Sequence, residues 1–216
     1  LFRMEAEDST MSASATLVDS SADGPVIQAT ATNVGTAGLA LTDPDMGSGA
    51  FPVLVDVSGA QVLATVSGVR APGAMLRAEG ERITASVLDS TCGTDNAGLP
   101  CVALYDGERE AKLDLIRTTI EGVETSAAGV IVVEGSDYSP RLNIEDSVVR
   151  GNTSGVAALV VTSRATVEVT RSDFGTGASD NFPADAAHTD ESAVVTDWGA
   201  NTTVECRSGL VDCRAN

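Results

Sequence analysis

The stretch LNIEDSVVRGNTSGVAALVVTS, residues 142–163, holds two short apolar runs separated by a small polar turn. Leu142 and Ile144 alternate with polar neighbours, the mark of a strand buried on one face. RGNTSG then supplies the Gly and Asn residues that tight turns use. Looser versions of this phrase run through the chain. A first strand opens at Leu17, Leu39, Leu63, Ile83, Leu113, Leu142 and Val167, at intervals of 20 to 30 residues. Each is followed by a second apolar run, among them VIQATAT, AMLRAEG, GVIVVEG and ALVVTS, and turns such as SSADGP and RAPG join the two. Helical periodicity is almost absent.

Self-similarity at such a period is the signature of units that bury their apolar faces against one another by stacking. A meandering antiparallel sandwich would not explain a two-strand phrase recurring at this interval with turns this short. The sequence therefore predicts an all-β fold, a right-handed parallel β-helix (a solenoid) of about seven coils. Residues 13–200 form its body, residues 1–12 an N-terminal lead-in or edge segment, and residues 201–216 a disulfide-stapled C-terminal cap. Composition agrees. Hydrophobic residues are 43% of the chain but aromatics only 3%, so small and β-branched side chains must fill a narrow interior. Stacked coils take insertions at their corners. TCGTDNAGLPC (91–101) and DFGTGASDNFPADAAHTDESA (173–193) read as two of them.

On these phrases, IEDSVVRGNTSG and VEVTRSDFGTGASDN above all, the chain from about residue 13 onward resembles the pectate-lyase-like superfamily of right-handed β-helices. It is most similar to the repeat proteins of bacterial surfaces within it. The resemblance implies the fold. Hydrolases of that superfamily typically carry paired aspartates on one strand, a Gly-His-Gly turn and a basic tripeptide, and this sequence has none of them.

The net charge is −18, which repels nucleic acid and anionic membranes. No run of 18 apolar residues encodes a membrane span. The N-terminal LFRMEAEDST has neither the basic nor the apolar region of a signal peptide, and its first residue, Leu, suggests a processed chain or a fragment. Four cysteines fall in two local pairs, Cys92/Cys101 and Cys206/Cys213. Zinc is the rival reading, but these are not C-x2-C spacings and His188 is the lone histidine. Two local disulfides are expected, and with them an oxidising, extracellular or cell-surface location.

Chemistry is sparse. His188 lies in an insertion and reads as a solvated loop residue, and Asp43 and Asp45 flank Pro44 in a turn. Asp173, Asp180, Asn181 and Asp185 line a Gly-bearing loop with hard oxygens suited to calcium, although a polar turn whose Asp and Asn bond the local backbone is the simpler account of them. No other cofactor is expected. Tyr105, Tyr138 and Trp198 are aromatic platforms in different coils, Asn152 and Asn201 sit in glycosylation sequons, and the Thr residues recur in no register that would bind ice. The expected function is a non-enzymatic structural or adhesive module, a fibre subunit or part of a longer stalk. Its partners would be end-to-end copies or upstream coils, a surface glycan or a protein. The alternative is a polysaccharide lyase or hydrolase using scattered Asp residues.

Overall fold

A computed structural model describes residues 2–7, 10–15, 27–32, 36–42, 53–71, 73–93, 98–105, 109–127, 129–134, 140–155, 157–161, 166–175, 181–182, 186–188, 194–197 and 212–215. Among these there is no helix, and every strand pairing is parallel. The first sheet has eight strands, from Phe2–Glu7 through Val53–Ser58, Ala74–Glu79, Val102–Tyr105, Ile131–Val133 and Leu159–Val161 to Ala186–His188. The second has nine, from Thr10–Ala15 through Gln61–Ser67, Arg82–Leu88, Glu110–Ile116, Arg141–Glu145 and Thr166–Thr170 to Asp212–Ala215. A third sheet stacks Arg70–Ala71, Thr91–Cys92, Thr119–Glu121 and Val148–Arg150. The chain visits the sheets in turn and then pairs each new strand with its equivalent 18 to 29 residues back, as a β-solenoid does. Residues 1–12, read as lead-in or edge, include the edge strand Phe2–Glu7 and the start of Thr10–Ala15.

The interior forms by alternation. In Arg82–Leu88 the buried positions are Ile83, Ala85 and Val87, and in Glu110–Ile116 they are Ala111, Leu113 and Leu115. Register then builds columns: Leu39, Ala64, Ala85, Leu113, Leu142 and Val167 are successive partners along the second sheet. Leu113, Leu142 and Val167 thus stack as their phrases imply. Leu63 does not. It is 55% exposed, because in Gln61–Ser67 the inward set is Val62, Ala64 and Val66. A strand written VLATV offers apolar residues on both faces, and the register of its neighbours decides between them.

Turns between the second and third sheets stack as well. The backbone N–H of Gly68 donates to Leu88 C=O of the next coil, Asp89 to Ile116, Arg117 to Glu145 and Asp146 to Thr170, all at 2.9–3.0 Å. Elsewhere the backbones approach so closely that side chains are excluded. A Cβ built on Gly80 would run into the Gly59 carbonyl oxygen of the preceding coil.

Candidate functional site

The corner after the second sheet carries the densest chemistry. Its equivalent residues in five coils are Gly68, Asp89, Arg117, Asp146 and Arg171, and all have positive φ, from 49° to 69°. Gly adopts that conformation freely, while Asp and especially Arg do so at a cost. Compensation comes across the stack. Arg117 grips Asp89 with two bonds (Nε–Oδ1 2.5 Å, second nitrogen to Oδ2 2.8 Å), and Arg171 grips Asp146 in the same way (2.6 and 2.8 Å) while also bonding Glu145. Both aspartates titrate below their ordinary value, first because of these arginine hydrogen bonds, and the arginines are held more firmly protonated for the same reason. Arg150, a few residues on, clasps Glu121 of the preceding coil (3.0 Å) and Asp173 of the following one (2.8 Å).

Directly inside that corner runs a ladder of buried hydroxyls. The N–H groups of Val69, Thr118 and Ser147 donate to the Oγ atoms of Ser90, Ser147 and Ser172 in the next coil, at 3.1–3.2 Å. Each serine hydroxyl donates to the carbonyl two residues earlier, as Ser147 does to Glu145 at 2.8 Å. A buried N–H at a tight turn would otherwise lack an acceptor.

Asparagines perform this task at the next corner, and here the structure corrects the sequence reading. Asn152 and Asn181 are each about 1% exposed. The Asn152 Oδ1 accepts from Val123 N–H (3.0 Å), and its Nδ2 donates to Ile120 C=O and to Asn181 Oδ1, both at 3.0 Å. Asn181 Nδ2 donates to Val149 C=O (2.8 Å) and Phe174 C=O (3.1 Å). Asn152 is therefore no glycan acceptor in the folded chain. Asn181 is withdrawn from the calcium set, since its carboxamide oxygen already serves two donors of Asn152. Asp173 lies elsewhere, accepting from Arg150 and from Gly175 N–H (2.9 Å). Asp180 and Asp185 lie outside the described residues, as do Asp43, Asp45, Tyr138, Trp198 and Asn201. Among the described residues no three His, Cys, Asp or Glu side chains converge on a point that could hold a metal.

Cys92 and Cys101 form a disulfide, closing the loop as expected. Cys213 lies in the strand Asp212–Ala215 opposite Val195, and Cys206 is outside the described residues, so their pairing and the cap it would staple are not placed. His188 ends the strand Ala186–His188 opposite Val161, where a loop residue was expected. No described helix is long and apolar enough to cross a membrane.

The outer face of the second sheet holds a groove of about 540 Å³. Its floor carries two columns, Lys112–Arg141–Thr166 and Asp114–Asn143–Glu168, set by register. Lys112 Nζ contacts Asp114 (2.8 Å), while Arg141 makes no ion pair with a described residue. Two cations stacked on adjacent strands repel unless an anion lies between them. Nothing in the sequence marked this site, because its parts are 25 to 30 residues apart and meet only through stacking. Neither a family model, nor a curated protein, nor a solved structure matches this chain.

Proposed function

We propose that the chain is a non-enzymatic structural module, a right-handed β-helical rod of about seven coils that works as a stalk, fibre subunit or adhesive surface in an oxidising, extracellular setting. The observation that carries this reading is how its charged side chains are used. Arg117, Arg150 and Arg171 each tie an acidic residue of a neighbouring coil. Their charges hold coil to coil and do not converge on a cleft. The C-terminal disulfide Cys206–Cys213 belongs to this reading as a staple on the last coil, and the Cys92–Cys101 bridge supports the oxidising compartment. End-to-end stacking of copies, or further coils of a longer chain, would extend the rod by the parallel pairing it already uses.

A second reading is favoured by the groove. Lys112 and Arg141 would bind an acidic sugar there, with Asp114 and Glu168, two strands or about 10 Å apart, as the acid and base of a polysaccharide lyase or hydrolase. One experiment separates the two. Acidic and neutral polysaccharides are incubated with the intact chain and with Arg141→Ala, and reducing ends and unsaturated products are measured. The structural reading expects no turnover from either protein. Turnover that Arg141→Ala abolishes would overturn it.

A further inference from the structure

A second cavity, of about 260 Å³, opens on the outer side of the first sheet, away from the groove. Its walls are apolar: Ala74, Leu76 and Ala103 from the sheet, with Leu99 and Pro100 from the loop that the Cys92–Cys101 bridge ties down. At its rim Arg77 sets its guanidinium carbon 5.8 Å from the centroid of the Tyr105 ring. Around that cation stand Glu79 (3.0 Å) and Asp56 (3.9 Å). Glu79 is also the register partner of Tyr105 on one side. On the other, Val133 pairs with Leu104 and the Glu134 N–H donates to Leu104 C=O (2.9 Å), which brings Glu134 alongside Tyr105, where its charge, after burial, raises the hydroxyl above its ordinary pKa.

Among the described residues the rim thus counts three carboxylates to one guanidinium, beside an aromatic face and an apolar slot. An anionic ligand would have to win Arg77 from two carboxylates and approach a third. A cationic one meets the opposite field, and the −18 charge of the whole chain draws it in. Arg77 itself shows what the rim holds well. It is a guanidinium over an aromatic ring with carboxylates at its edge, which is the geometry of cation–π recognition.

We infer that this pocket is a docking site for an arginine side chain of a basic partner peptide, and that Arg77 is a resident plug which the incoming guanidinium displaces. The aliphatic stem of the guest lies against Leu99, Pro100 and Ala103, and its head takes the place over Tyr105 between Glu79 and Asp56. The side chain of Arg77, 47% exposed, swings to solvent. This docking is independent of whether the rod is a stalk or an enzyme, because it uses another sheet and other residues.

The probe is N-acetyl-argininamide, titrated into the intact oxidised chain and followed by calorimetry and by the ring resonances of Tyr105. Saturable binding is expected. The isosteric neutral N-acetyl-citrullinamide and the anion hexanoate should bind several-fold more weakly, as loss of a cation–π contact and its carboxylates implies. Arg77→Ala should tighten binding. Glu79→Gln, a surface change that leaves packing intact, should weaken it roughly threefold or more, and Tyr105→Phe should keep it while Tyr105→Leu loses it. Absence of saturable argininamide binding overturns the proposal. So does hexanoate binding that Arg77→Ala removes, which would make this an anion site, and so does Glu79→Gln without effect.

Discussion

Two corners of the coil meet the same backbone demand differently. After the second sheet the chain turns through positive φ at Gly68, Asp89, Arg117, Asp146 and Arg171, and after the third it does so at Gly122, Gly151 and Gly175. The first corner places charged residues where glycine would be easier, and ties them in Asp–Arg pairs across the stack, with a hydroxyl ladder beneath. The second leaves glycine in place and sets an asparagine beneath it, Asn152 on Asn181. In a solenoid, backbone strain at one coil can be offset by a side chain one coil away. Polar groups inside the turn, by contrast, have no substitute in water.

That contrast can be broken at its strongest point by Asn152→Ala. It leaves Val123 N–H without its acceptor inside the coil and takes one donor from Ile120 C=O, and should cost about 2–3 kcal/mol, as one unsatisfied buried donor and a second lost bond imply. A urea midpoint within error of the parent would refute the ladder. Ser147→Ala removes the acceptor of one buried N–H, that of Thr118, and a loss of about 1–2 kcal/mol is expected by the same measurement. Gly151→Ala tests the glycine corner. At φ 67° an L-residue is strained by roughly 1–2 kcal/mol, and no cross-coil pair stands ready to offset it. The reciprocal change at the other corner, Arg117→Gly, relieves strain while giving up an exposed pair, so the midpoint should stay unchanged or rise. A large loss there would show the ion pair to be worth more than exposed pairs usually are.

The smallest expected effect is in acid. Asp89 and Asp146 have folded pKa values below their unfolded ones because Arg117 and Arg171 hydrogen-bond their carboxylates. Their contribution is complete above the ordinary aspartate pKa and fades as pH falls through the lowered one. The Asp89→Asn, Asp146→Asn double variant should therefore lose less stability between neutral pH and pH ~3 than the parent does. Carboxyl titrations by NMR that place both groups at ordinary values would contradict the pairing.

How much of this was legible depends on how local the signal was. The repeat was readable from Leu113, Leu142 and Val167, because each strand carries its own alternation. The Cys92–Cys101 bridge was readable from its short polar loop. Leu63 was misplaced because Val62 and Leu63 are both apolar, and register is a property of neighbouring coils. Asn152 and Asn181 looked like a sequon and a calcium ligand because polar residues near glycine usually face water, whereas their partners here are 29 residues away. The Asp–Arg alternation stands in the phrases VLDST, LIRTT, IEDSV and VTRSD, but only aligning the coils brings it into view. The groove at Lys112 and Arg141 had no local mark at all.

The Cys92–Cys101 bridge spans a sequence separation of 9, so it closes a corner loop and leaves distant coils without a covalent tie through it. A rod of such coils pulled by its two ends would come apart by peeling, one row of backbone and ladder bonds at a time from an end inward. The bridge would not arrest that process. It would only shorten the fully drawn chain, by roughly 25 Å at about 3.4 Å per residue once the 6.1 Å between the bridged Cα atoms is taken off, and a force trace of the described region in reductant would be longer by that step and otherwise unaltered.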